Sequence, residues 1–172
     1  MVTIEQTSDW EQLERLLRVY EGRGFKCFPV KPNKLPWESW KKYLDENADV
    51  RVDRFRRTFE SEKPFLIAGI PGSNIVLDID DPAKFHAALQ GAETDFSCPQ
   101  AFTPSGGRHL YFRNTGDVDF QAYGWGEIRT GDKHYVVLPG SGHPADYSKD
   151  ERQIRAEYAW APGSVPLWPG LA

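Results

Sequence analysis

Cysteine is scarce: Cys27 and Cys98 are the only two in 172 residues. Two thiols build neither a disulfide framework nor a cysteine-rich zinc site, and both read as small core residues in a reducing compartment. Long apolar runs are missing as well. No stretch approaches the length of a membrane span and the first residues lack a signal-peptide pattern, so a soluble, cytoplasmic protein with no membrane partner is expected. Nor is positive charge in excess. A formal net charge of −4 argues against coating nucleic acid by bulk electrostatics. It still permits a local basic groove, and bound cations would let an acidic protein meet phosphates. What the chain has in quantity is aromatic residues, 6 Trp, 7 Tyr and 10 Phe within a 40% hydrophobic composition, enough for one domain with a real core and too many for disorder.

The stretch Asn74-Ile75-Val76-Leu77-Asp78-Ile79-Asp80 reads as a buried strand that ends in two carboxylates, where such a strand should carry none. Side chains alternate, so Asp78 and Asp80 share the face opposite Ile75, Leu77 and Ile79. Their Cα atoms would lie about 6.6 Å apart, close enough for both to converge on one hard divalent cation, or on two bridged by a phosphate. Asp81-Pro82 then reads as an N-cap and N1 proline opening a helix over Ala83 to Gln90 that stops at Gly91. A cap accounts for Asp81 and leaves the other two acids unexplained.

Ser8 to Arg23 is an amphipathic pattern with Ser8 and Glu11 as a capping box, followed by a short strand, Phe25 to Val30, and a loop in which Lys31 and Lys34 flank Pro32. Arg51 to Glu60 predicts a second helix with Val52, Phe55 and Phe59 inward and Arg51, Arg54, Arg56 and Arg57 outward. Its arginines, Arg54 and Arg57 in particular, are candidates to track a nucleic-acid backbone, against the plainer reading of a solvated face. Phe65 to Ile70 predicts a strand, joined by the Pro71-Gly72-Ser73 turn in a hairpin to the acidic strand.

Further on, Phe102-Thr103-Pro104-Ser105-Gly106-Gly107-Arg108-His109-Leu110-Tyr111-Phe112 has the form strand, glycine-rich turn, strand. Adjacent glycines permit an anion-binding array of amides, and Arg108 and His109 at the exit suit a polyphosphate. Glu127 opens an alternating strand, either as a third carboxylate for a two-metal site or as a surface acid paired with Arg129. Strands are predicted at Tyr135 to Leu138 and at Tyr158 to Trp160, while His134 and His143 read as surface residues.

The order of these parts, from Gly24-Phe25-Lys26-Cys27-Phe28-Pro29-Val30-Lys31-Pro32 through the Asp-x-Asp strand, the Thr-Pro-Ser-Gly-Gly-Arg-His hairpin and the Glu-Ile-Arg and Tyr-Val-Val strands, resembles the primase-polymerase domain of the archaeo-eukaryotic primase superfamily. The likeness is to the plasmid, virus and mobile-element forms and covers roughly Arg23 to Ser141. It implies an α/β (α+β) fold: a two-module core with an RRM-like, mainly antiparallel central sheet flanked by helices. Residues 1–172 would be one catalytic domain, with an N-terminal module at 1–64, the catalytic sheet at 65–160 and a loose tail at 161–172. The implied activity is DNA-templated nucleotidyl transfer, as primase or polymerase, with two Mg²⁺ or Mn²⁺ ions and NTPs or dNTPs. Asp78 and Asp80 match the first acidic motif and would bind metal, Gly107-Arg108-His109 matches the small-x-His motif at the nucleotide phosphates, and Glu127 stands where the family usually has Asp. Ser105, Lys31, Lys34 and Arg129 would complete the nucleotide site. Implied partners are a single-stranded template, a primer and a helicase or accessory replication domain.

Two other readings compete. A metal-dependent nuclease or rolling-circle initiator would use the same acids but needs a paired-His motif, and His109 has no such partner in the sequence. A non-catalytic RRM-like binding module would stack bases on Phe102, Tyr111 and Phe112, yet Asp78 and Asp80 would then repel phosphate.

Overall fold

The computed structural model describes residues 4–61, 65–91, 98–140 and 159–161. Trp10, Leu13, Leu17 and Tyr20 recur at helical spacing and give α1 (Ile4–Gly22) one apolar stripe. It begins before the expected Ser8 cap. Ile4-Glu5-Gln6-Thr7 holds no helix breaker, so Ser8 falls inside the helix. β1 (Lys26–Val30) and a 3-10 turn (Trp40–Leu44) lead to α2 (Ala48–Glu60), capped by Asn47, whose side chain accepts from the Val50 amide at 3.0 Å. Then come β2 (Leu66–Ile70), β3 (Gly72–Ile79), α3 (Pro82–Ala88), β4 (Gln100–Phe102), β5 (Arg108–Arg113), β6 (Gln121–Tyr123), β7 (Gly126–Gly131), β8 (Val136–Val137) and β9 (Ala159–Trp160).

The strands form two antiparallel sheets, a small one ordered β1-β2-β8 and a larger one ordered β6-β7-β3-β5-β4-β9. The fold is therefore mixed α+β, as the sequence predicts. The expected hairpin between β2 and β3 does not form: the two strands lie in different sheets. Pro71 offers no amide to continue a ladder, its carbonyl accepts the Asn74 amide at 3.0 Å, and the buried Asn74 side chain donates to the Arg23 carbonyl at 2.9 Å. The chain thus leaves one sheet and enters the other. In consequence β2 and β8 complete the sheet begun by β1, so the segments 1–64 and 65–160 interleave.

Packing follows from this exchange. Tyr20, Phe25, Phe55, Ile67, Val76 and Tyr111 form a core between α1, α2 and both sheets. Phe28, Tyr43, Leu66 and Val137, with Trp40 and Tyr135 at the margin, pack under the small sheet. Ile79, Leu110 and Trp125 lie on the far face of the larger sheet, where Phe85 of α3 meets Trp125 edge-on.

Arg51, expected outward, is buried. Its Nε and Nη2 each donate at 2.7 Å to the two carboxylate oxygens of Glu21, and Nη1 donates to the Tyr43 carbonyl at 3.1 Å and to the Glu46 carbonyl. The pair ties α1 to α2, and Glu21 also accepts the Cys27 amide of β1 at 3.0 Å. Charge without an apolar period hid this inward turn.

Candidate active site

Three adjacent strands deliver the central residues. Asp78 of β3 stands opposite His109 of β5 and opposite Glu127 of β7. Directly opposed residues share a face, so the row His109, Asp78, Glu127 crosses the sheet at the end where β3 leaves the core. Asp80 follows two residues later, just past the end of β3, its amide and that of Asp81 both bonded to the Trp125 carbonyl, at 2.9 and 3.0 Å. Asp81 is the helix cap that the sequence predicts, accepting the Lys84 amide at 3.0 Å.

Close backbone approach fixes this end of the sheet. A Cβ on Gly126 would stand 1.9 Å from the Asp78 carbonyl oxygen, and one on Gly107 would stand 2.3 Å from that of Ile79. Only glycine permits both neighbours to come this near. The glycine-rich turn is also more self-satisfied than an open anion cradle: the Gly106 amide donates to the Thr103 carbonyl and the Gly107 amide to Thr103 Oγ1, each at 3.1 Å.

His109 is buried and held at both nitrogens. Nε2 lies 3.1 Å from Asp78 Oδ1, and Nδ1 lies 3.4 Å from the Tyr111 hydroxyl. An ionised carboxylate only accepts, so Nε2 donates to Asp78, and the Tyr111 hydroxyl is the partner of Nδ1. Arg129 spans the other side. Its Nε and Nη2 both reach Glu127 Oε2 at 2.8 Å, Nη1 donates to the Tyr135 carbonyl at 2.6 Å, and Nε stands 3.4 Å from Asp78 Oδ2.

These neighbours drive the two aspartates apart. Burial pushes the Asp78 carboxyl up, but the His109 hydrogen bond and the charges of His109, Arg129 and Lys34 outweigh it and leave the group below its ordinary value. Asp80 shifts the other way, raised by partial desolvation and by the negative charges of Asp78 and Glu127. The surroundings therefore favour the charged form of Asp78 and disfavour that of Asp80.

A cavity of about 270 Å³ opens over this row. Asp78, Asp80, Ser105, His109, Lys34 and Arg129 line it, six of the residues singled out in the sequence. Glu127 lies beside it, turned to Arg129. Arg108 does not join them: it is next to His109 on a strand, points to the opposite face, packs over Phe102 at 5.3 Å and lines a separate cavity beside α3. Lys31 sits at the base of its loop, its amide bonded to the Leu35 carbonyl at 2.8 Å. On α2, Arg54 is paired with Glu46 and Glu38, and Arg57 with Asp53. His134 is half-buried and stacks on Phe120 at 3.9 Å, while His143 lies outside the described residues.

Sequence reasoning missed Asn33, Leu35 and Thr103 on the cavity wall, and Tyr135, which it read only as a strand residue. The base-stacking face expected of a pure binding module is also not assembled. Tyr111 is fully buried against Phe25 and Trp160, and Phe102 lies on the other side of the sheet from His109.

Among the described residues, no three His, Cys, Asp or Glu side chains are gathered to hold a metal ion. Asp78 and Asp80 are a pair, and a pair fits Mg²⁺ or Mn²⁺, which take one or two carboxylates and fill their other positions with water and substrate phosphate oxygens. The surroundings that disfavour a charged Asp80 are ones that a bound cation would relieve.

Residues 16–169 match the family model described as bifunctional DNA primase/polymerase, N-terminal. No curated protein matches the chain. Since the matched span runs from within α1 past β9 and takes in the acidic row and its cavity, the chain belongs to the Prim-Pol family of DNA primase/polymerases, whose substrates are DNA and nucleotides.

Proposed function

We propose that this chain is a DNA-templated nucleotidyltransferase that joins NTPs or dNTPs at the cavity over β3, using two divalent ions, Mg²⁺ or Mn²⁺, in the replication of a plasmid, virus or mobile element. The observation that carries the reading is the meeting of opposite charges in one cavity: Asp78 and Asp80 line it together with Lys34 and Arg129. Paired acids suit the cations, and paired bases suit a triphosphate.

Asp78 and Asp80 would hold the ions, with Glu127, in register with Asp78 on the adjoining strand, as the third carboxylate. Bound divalent ions supply Lewis-acid chemistry, making the primer 3′-hydroxyl a better nucleophile and neutralising the leaving pyrophosphate. The protein's own part is orientation. Tyr111 fixes His109, and His109 fixes Asp78, so this carboxylate stays ionised and aimed into the cavity. Arg129 and Lys34 would bind the triphosphate, with Ser105 at the mouth. Template and primer would be single-stranded DNA and its growing strand, supplied by a helicase or accessory replication domain.

The test is extension of labelled nucleotides on single-stranded DNA with Mg²⁺ or Mn²⁺, with and without a primer. Wild-type products should vanish in Asp78→Ala/Asp80→Ala, and an unprimed product would mark primase activity. Absence of product and of metal-dependent nucleotide binding in the wild type would refute the reading.

A further inference from the structure

The loop between β1 and the 3-10 turn contains the least relaxed backbone beside the cavity. Lys34 adopts φ +70°, a left-handed conformation that a lysine rarely takes. Such a conformation persists only where its surroundings over-determine it. The loop supplies part of that constraint: the Lys34 amide donates to the Lys31 carbonyl at 2.8 Å, the Leu35 amide to Asn33 Oδ1 at 3.0 Å, and Val30 bridges Pro36. The rest comes from far along the chain. The Tyr135 hydroxyl donates to the Lys34 carbonyl at 2.7 Å.

Tyr135 is itself firmly seated. Its ring meets Phe28 edge-on at 5.1 Å and Trp40 at 5.7 Å, and its own carbonyl accepts Arg129 Nη1 at 2.6 Å. One residue thus touches both basic residues of the cavity, the Arg129 guanidinium through its own carbonyl and the Lys34 backbone carbonyl through its hydroxyl. Lys34 lines the cavity together with Asp78 and Asp80.

From this juxtaposition we infer that Tyr135 is a positioning residue for nucleotide binding: its hydroxyl clamps the loop at Lys34 so that the Lys34 ammonium is held over the cavity for the triphosphate. The inference rests on the nucleotidyl-transfer reading and deepens it. The clamp lowers the ordering cost of a long, flexible side chain before substrate arrives. It acts on substrate affinity and leaves the chemical step to the aspartates.

Tyr135→Phe keeps the ring stack and removes only the hydroxyl. Lys34→Ala keeps the carbonyl that the hydroxyl meets and removes the side chain beyond Cβ, the ammonium included. Wild type, both single variants and the double variant would be compared by equilibrium binding of dATP and ATP with Mg²⁺, by KM and kcat in primer extension, and by thermal unfolding. Loss of one hydrogen bond predicts a three- to tenfold weaker Kd and higher KM in Tyr135→Phe, on the order of a neutral bond's net worth, with kcat within about twofold of wild type. In the Lys34→Ala background the same change should have no further effect, because the group it positions is gone. Undiminished binding in Tyr135→Phe overturns the inference, as does a loss that persists in the Lys34→Ala background or falls on kcat in step with a lower Tm. A wild type that binds neither nucleotide overturns the nucleotidyl-transfer reading, and this inference with it.

Discussion

Arg51, at the junction of α1, α2 and β1, and Arg129, on the cavity wall, each grip one glutamate and at least one backbone carbonyl. Arg51 forks both oxygens of Glu21, and the two side chains are only 7% and 5% exposed. Arg129 leans on a single oxygen of Glu127 at 29% and 33% exposure and keeps Asp78 within 3.4 Å. The chemistry is the same and the surroundings differ. A sealed pair has no partner left to recruit, so it fastens helices. A half-open pair beside two further carboxylates has room for an incoming anion or cation, so it can serve a substrate.

Removing one arginine at a time separates these roles. Arg51→Ala strands a buried carboxylate and should cost about 3–5 kcal/mol of folding stability, read by denaturant unfolding. Below its melting point the variant should still bind nucleotide. A loss under about 1 kcal/mol would mean that water reaches Glu21 and that the two regions are not different in kind. Arg129→Ala should do the reverse, lowering primer extension about a hundredfold while costing less than about 1 kcal/mol of stability. Equal stability losses in the two variants would erase the distinction.

The same contrast explains what could be read from the sequence. The Asp81 cap and the β4–β5 hairpin are local patterns of capping and of period two and stand where the residues predict, and Asp78 and Asp80, though Asp80 lies past the end of β3, line one cavity. The inward turn of Arg51 depends on Glu21, thirty residues away, and no local period encodes it. Likewise β2 and β3, apolar runs joined by a turn, meet every local criterion for a hairpin, yet β2 finds β1 and β8 as partners. Arg108 and His109 line different cavities for a simpler reason: neighbours on a strand face opposite ways, and closeness in sequence is separation in space. Tyr135 was legible as a strand residue, but its bond to Lys34 spans 101 positions and leaves no mark in composition or spacing.

The smallest effect falls within the acidic pair itself. The folded-state pKa of Asp78 is lowered, so the stability it contributes is present above the unfolded value and is lost as pH falls through the folded one. For Asp80 the sign is opposite. Its folded-state pKa is raised, so its contribution is fully present below the unfolded value and is lost as pH rises through the folded one. At neutral pH without divalent ions, Asp80 is therefore a net cost, and Asp80→Asn should stabilise the protein by about 0.5 kcal/mol after solvent screening. That gain should shrink as pH falls into the carboxylate range, where the wild-type acid is protonated. Adding Mg²⁺ should raise the wild-type Tm more than that of the Asn variant, because only the wild type keeps both carboxylates for the ion. An Asn variant less stable than wild type at neutral pH would show that Asp80 has a cationic partner inside the fold, and would remove the charge imbalance from which its metal role is argued.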